Sequence, residues 1–214
     1  MKTDLFGNTI HWLTATYLVF GGVLLVTFNH GDLVLWLNDQ HYHFLDIFFK
    51  YWTYLGDGFL LGMVALIFLF FNYHKFYTFL IAIVFQTIFV HIFKQWLYAG
   101  EPRPKLYFQD RINELNFVDG VDVRSFDAFP SGHTASAFTL AFFLILVFRS
   151  TPLRVALFIS AVLVGVSRMY ILQHFARDVY VGSLFGIISV LLAYMSMASK
   201  SDRPKLQRGL LKKS

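Results

Sequence analysis

The sequence contains no cysteine, which removes disulfide bridges, thiolate metal ligands and cysteine nucleophiles from consideration. It is also poor in charge. Only 14% of the 214 residues are Asp, Glu, Lys or Arg, where a soluble domain carries roughly a quarter. No small-residue cleavage site follows the first apolar run, so that run is expected to remain in place rather than be removed as a leader. No internal repeat and no linker divides the chain, and one domain over residues 1–214 is expected. The composition is instead hydrophobic, at 57%, with 26 phenylalanines gathered in long runs of the kind a bilayer requires. The net charge of +5 does not point to nucleic acid, because much of it sits in the tail from Lys200 to Lys213, where anionic headgroups are the simpler partner.

These runs predict an all-α, polytopic membrane bundle of about six transmembrane helices, at about 11–29, 58–73, 77–98, 131–149, 153–171 and 178–198. Asp32 to Tyr54 mixes Trp36, Trp52 and other aromatics with Asp, His and Lys, and reads as helix lying at the interface. Ala99 to Phe129 is the one long polar loop, and its acidic cluster is read as keeping it soluble. With six spans, Lys2, Lys75, Arg149, Arg154 and the tail share one side, expected to be cytoplasmic together with both termini. The opposite side nonetheless carries Arg103, Lys105, Arg111 and Arg124. Lys94, Arg103 and Arg168 lie at or near outer span ends, where an anion-binding site needs cations.

Three separated segments converge on that outer side. His174 and Asp178 stand four residues apart, so on a helix they share a face. A carboxylate on one imidazole nitrogen fixes the tautomer and leaves the other nitrogen free to attack. Upstream, Arg168 offers a forked donor for phosphate oxygens. Ser131, Gly132 and His133 open a helix, where unpaired N–H groups and the dipole favour an anion, and His133 can protonate a departing alkoxide. Lys94 and Arg103 add two more fixed donors. Two histidines, a carboxylate and three cations suffice for phosphoryl transfer without a metal or other cofactor.

Pro130-Ser131-Gly132-His133, and Ser167-Arg168 followed after five residues by His174 and after three more by Asp178, resemble the second and third signatures of the type 2 phosphatidate phosphatase superfamily. The resemblance implies a helical-bundle core, about residues 75–198; residues 199–214 are read from their charge as a basic cytoplasmic tail. It implies a phosphohistidine on His174, Asp178 as its partner and His133 as general acid. It also implies a phosphate held by Lys94, Arg103, Ser131, Gly132 and Arg168. The first signature departs from the family pattern: eight residues separate Lys94 from Arg103 rather than six, and Glu101 stands beside the arginine. A longer helix end or a looser turn would absorb the difference, and Lys105 is a second candidate for part of the role of Lys94.

The expected activity is hydrolysis of a lipid phosphomonoester or pyrophosphate. Undecaprenyl pyrophosphate, phosphatidate, phosphatidylglycerophosphate and lipid A are the natural candidates, in a bacterial inner membrane with the site facing the periplasm. A phosphotransferase passing the group to another lipid fits the same motifs. A transporter fits less well, because span middles are nearly free of charge. A monomer is expected, with oligomers left open. His11, His30, His41, His43 and His74 are read as ordinary interface histidines, and His91 as packing.

Overall fold

A computed structural model describes residues 5–201 and 203–211. It is all-helical, with no strand among the described residues. The chain runs through α1 (Asn8–Thr27), α2 (Asp32–Asp39), α3 (His43–Trp52), α4 (Gly58–Phe71), α5 (Tyr73–Ile92), α6 (Pro104–Tyr107), α7 (Gly132–Val147), α8 (Thr151–Tyr170) and α9 (Ala176–Ala198). A 3-10 turn, Thr53–Gly56, joins α3 to α4, and a π-helical turn, Phe93–Leu97, extends α5.

Each of the six expected spans coincides with a helix. Four of these are long and apolar enough to cross a bilayer: α1, α5 with its extension, α8 and α9. A fifth crossing arises if α3 and α4, bent by 48°, act together. Helix α4 has 14 residues and α7 has 16, or roughly 21 and 24 Å at about 1.5 Å per residue, less than the bilayer core. For α4 the reason is local. Asp57 caps its start by accepting from the Phe59 N–H at 2.8 Å, and Asn72 ends it and at once caps α5 by accepting from the Lys75 N–H at 2.9 Å. Helix α7 is enclosed by protein rather than by lipid: every residue from Thr134 to Phe143 is buried. A helix that is apolar all round belongs in such a core. The outer helices by contrast expose Phe59, Phe71, Ile88 and Met195, a surface that suits acyl chains and not water.

The closest packing joins α7 to α9. A Cβ on Gly182 would stand 2.6 Å from the Ser131 carbonyl oxygen, and one on Gly186 would stand 2.6 Å from that of Ala135 and 2.7 Å from the Phe138 Cβ. Two backbones meet here with no side chain between them. Lipid tails are as apolar as leucine and supply no hydrophobic drive, so close van der Waals contact between small residues is what holds such helices together.

The interfacial segment is two short helices that also anchor the long loop. Asn38, buried on α2, exchanges three hydrogen bonds with Asn116, at 2.7, 2.8 and 3.2 Å. The loop itself is ordered. It packs Phe108, Leu115 and Val123 against Val34, Leu172 and Phe175 in a small core of its own. The basic tail is mostly exposed where it is described. Its described part folds back on the α4–α5 turn, where the Tyr73 N–H donates to the Arg208 carbonyl at 2.7 Å and the Leu210 N–H to that of Leu69 at 3.2 Å. Unpaired carbonyls at the end of α4 provide the attachment. Lys2, Lys212 and Lys213 lie outside the described residues.

Replacing Gly186 by Leu would force α7 and α9 apart, at a cost of about 1–3 kcal/mol for overpacking. The detergent-solubilised variant is expected to melt at a lower temperature. Gly62→Ala is the control: its Cβ would meet nothing within 4 Å, and the helix gains roughly 0.5–1 kcal/mol from losing a glycine. A Gly186→Leu variant that melted with the control would show that the seam is not tight.

Candidate active site

The C-terminal ends of α5 and α8 meet the N-terminal ends of α7 and α9 at one end of the bundle, beneath the 3-10 turn and the long loop. They enclose a cavity of about 310 Å³. Lys94, Arg103, Gly132, His133, Arg168 and His174 all line it. Six of the eight residues singled out in the sequence therefore face one space. Ser131 and Asp178, both fully buried, stand behind the wall.

His174 is held by backbone geometry. After α8 ends, the N–H groups of Gln173 and His174 both donate to the Arg168 carbonyl, at 2.9 and 3.0 Å, turning the chain back toward α9. The imidazole is only 2% exposed, and its Nδ1 lies 3.5 Å from Asp178 Oδ2. That is longer than a hydrogen bond, although such contacts in unliganded sites commonly tighten when substrate binds. Asp178 Oδ2 also accepts the Phe175 N–H at 2.8 Å, so the carboxylate caps α9 while facing the histidine. With Nδ1 turned to Asp178, Nε2 is the nitrogen on the cavity side. Burial first, then the charges of Arg103, Arg168 and Lys94, holds this imidazole well below its ordinary pKa, in the neutral form a nucleophile needs.

Ser131 caps α7: its Oγ accepts from the Thr134 N–H at 3.4 Å and from the Thr134 hydroxyl at 2.9 Å, and its own N–H donates to the Asp178 carbonyl at 3.0 Å. That bond ties the start of α7 to the start of α9. His133, half-buried, sits one residue into α7 on the cavity wall.

The cations are aimed by carbonyls. Lys94 Nζ donates to the Asp127 carbonyl at 2.9 Å, and Arg103 Nη2 reaches the same oxygen at 3.1 Å. Both cations of the irregular first signature therefore converge on one atom. The π-helical turn holding Lys94 and the tight turn at Gly100, with φ of 75°, take up the two extra residues. Arg103 further donates to the Phe126 carbonyl at 2.7 Å and to Gln173 Oε1 at 2.6 Å. Burial, reinforced by Arg124, lowers its pKa to about 10, so it stays charged at neutral pH. Arg168 donates to Thr53 Oγ1 at 2.9 Å, while its buried Nε has no partner among the described residues. Lys105 does not line the cavity, and neither does His91, which is exposed rather than packed. Glu101 turns away from the cavity to pair with Arg177 at 2.5 Å.

Sequence reasoning missed Lys50, Thr53, Arg124 and Gln173, all of which line the same space. The available signal was the excess of basic residues on the side where short loops should be poor in them. Among the described residues no three His, Asp or Glu side chains gather in an arrangement that could hold a metal ion.

The neutral His174 has a consequence for stability. An unfolded histidine titrates near 6.5, and the folded one takes its proton only well below that. The contribution is whole above about pH 6.5 and is lost as pH falls below it. The melting temperature of the detergent-solubilised protein is therefore expected to drop between about pH 7 and pH 5, and less steeply for His174→Gln. Equal slopes would assign the acid sensitivity to other groups.

Comparison with known proteins agrees with this geometry. Residues 75–202 match the PAP2 superfamily. The crystal structure of LpxE from Aquifex aeolicus is similar at 30% identity, covering 80% of this chain and 98% of that one with a TM-score of 0.68. That of a transmembrane PAP2-type phosphatidylglycerolphosphate phosphatase from Bacillus subtilis is similar in fold at 21% identity, covering 90% and 96% with a TM-score of 0.60. No curated protein matches. The chain is thus a multi-pass membrane protein that belongs to the PAP2 superfamily and has the fold of its membrane phosphatases.

Proposed function

We propose that this phosphatase hydrolyses a lipid phosphomonoester or lipid pyrophosphate through a phosphohistidine on His174, with no metal ion. The observation that carries the reading is an almost fully buried imidazole, backed by Asp178, on the wall of a cavity lined by cations. His174 Nε2 attacks phosphorus, and Asp178 stabilises the imidazolium that forms. Arg168 meets the equatorial oxygens with the N–H groups that Thr53 leaves free, Lys94 with the two hydrogens not given to Asp127, and the first turn of α7 with its backbone N–H groups. His133 protonates the leaving oxygen and then activates the water that hydrolyses the intermediate. The cations gathered here would repel a metal ion.

The lipid nature of the substrate follows from the position of the cavity, at the end of helices whose outer faces are apolar. Undecaprenyl pyrophosphate, phosphatidate, phosphatidylglycerophosphate and lipid A all present an anionic head on such a tail. The end opposite the site holds Lys75, Arg149, Arg154 and the folded-back tail. By the distribution of positive charge that end is cytoplasmic, and the site opens outward from a bacterial inner membrane.

Phosphate release from a panel of these lipids by the purified protein is expected to survive EDTA. His174→Ala is expected to lower it by about four orders of magnitude or more. An acid-labile, base-stable phosphoprotein should be trapped on rapid quenching of the wild type. Activity that vanished on chelation and returned with a divalent cation would overturn the mechanism.

A further inference from the structure

The cavity holds more positive charge than one phosphoryl group requires. Five cations line it, Lys50, Lys94, Arg103, Arg124 and Arg168, against one carboxylate, Asp122. With Asp178 behind the wall also counted, a phosphomonoester dianion still leaves a positive excess. The volume is generous too. About 310 Å³ is roughly ten times the ~30 Å³ share of a water molecule in the liquid, more than the five heavy atoms of one phosphoryl group fill.

Three of these cations belong to the signatures, and two do not. Lys50 comes from the last turn of α3 and Arg124 from the long loop. Both stand at the mouth: Arg124 is exposed and Lys50 half-buried, whereas Arg103 and Arg168 are 4% and 7% exposed. Lys50 Nζ donates to the Asp119 carbonyl at 2.6 Å and keeps its other hydrogens. The next residue, Gly120, has φ of 71°, and a Cβ there would stand 2.6 Å from that nitrogen. The positive φ and this close approach both favour glycine. No donor of Arg124 is engaged by another described residue. Arg103, by contrast, directs most of its donors to Phe126, Asp127 and Gln173.

In-line displacement sends the leaving oxygen away from the nucleophile. With His174 at the closed end, that direction is toward the mouth. We propose that Lys50 and Arg124 form a second anion subsite, which receives the inner phosphate of a lipid diphosphate while the terminal phosphate meets His174. This rests on the phosphatase reading and narrows its substrate to an anhydride. In the first step His174 Nε2 bonds to the terminal phosphorus and the anhydride P–O bond breaks. The electron pair stays on the inner phosphate, whose bridging oxygen takes the His133 proton as it departs as lipid monophosphate, its remaining charge met by Lys50 and Arg124. Water then gives its hydroxyl to phosphorus and a proton to His133, releasing inorganic phosphate and restoring Nε2.

The test compares one tail, farnesyl, as diphosphate and as monophosphate. For Lys50→Met and Arg124→Gln, kcat/KM on the diphosphate is expected to fall by about 10- to 100-fold, the weight of a charge-assisted contact. The monophosphate should stay within about threefold. Inorganic pyrophosphate should inhibit the wild type more tightly than orthophosphate, and that advantage should disappear in the variants, which need only bind and not turn over. Equal losses on both substrates, or no loss on either, would overturn the second subsite and leave the phosphatase standing. A wild type inert toward both lipids would overturn the phosphatase reading, and the subsite with it.

Discussion

The close approach of α7 to α9 is the constraint on which the site depends. The two helices start at the same end, and Gly182 and Gly186 let their backbones meet. Because they run parallel from that end, their positive ends lie side by side. The Ser131 N–H then reaches the Asp178 carbonyl at 3.0 Å. His133 belongs to one helix and the His174–Asp178 pair to the other, so their relation is set by backbone packing and not by flexible side chains. A bulky residue in the seam would act on chemistry several ångströms away, where small displacements of reacting groups are costly.

The second constraint is electrostatic. Lys94, Arg103 and Arg168 are gathered where they repel one another and where burial removes much of their hydration. The fold counters this with main-chain dipoles: the Asp127 carbonyl takes hydrogen bonds from two of the cations, and the Phe126 and Gln173 carbonyls take more from Arg103. These partners are neutral, so they orient the cations without cancelling their charge. The cavity is left electrostatically unsatisfied and complementary to an anion before any arrives, which is what preorganised stabilisation of phosphoryl transfer requires. Burial, and after it the same charge, holds His174 well below its ordinary pKa.

Much of this was legible in the sequence because it is local. The His174–Asp178 spacing, the Pro-Ser-Gly-His helix start and the apolar runs are short-range patterns, and the helices stand where those patterns put them. Chain length alone did not reveal that α7 is shielded by protein and so need not be long. The spacing of Lys94 and Arg103 was irregular because the helix widens into a π turn there, which leaves no compositional mark. Lys50 and Arg124 escaped notice for a different reason. They reach the cavity through long-range docking of α3 and the loop, arranged by Asn38 with Asn116 and by Lys50 with Asp119. The docking of the tail was not legible, because composition says that it is basic but not that its backbone finds open carbonyls at the end of α4.

Glu101 shows how a local oddity resolves in three dimensions. An acid two residues before Arg103 would oppose phosphate if it faced the cavity. It points instead to the far side of the first turn of α9, where Arg177 meets it at 2.5 Å. The Arg177 guanidinium lies over the Phe129 ring, 4.9 Å from its centre, and its Nε stands 3.9 Å from Asp178 Oδ1. The acid is therefore neutralised by a cation that also borders the carboxylate supporting His174. Arg177 lies between Glu101 and Asp178, so two like charges are kept from facing each other across a buried turn. An Arg-to-neutral change at this position would leave both carboxylates facing a low-dielectric region with less to offset them. The departure from the usual first signature and the arginine beside Asp178 are thus one arrangement, and each makes sense only in the presence of the other.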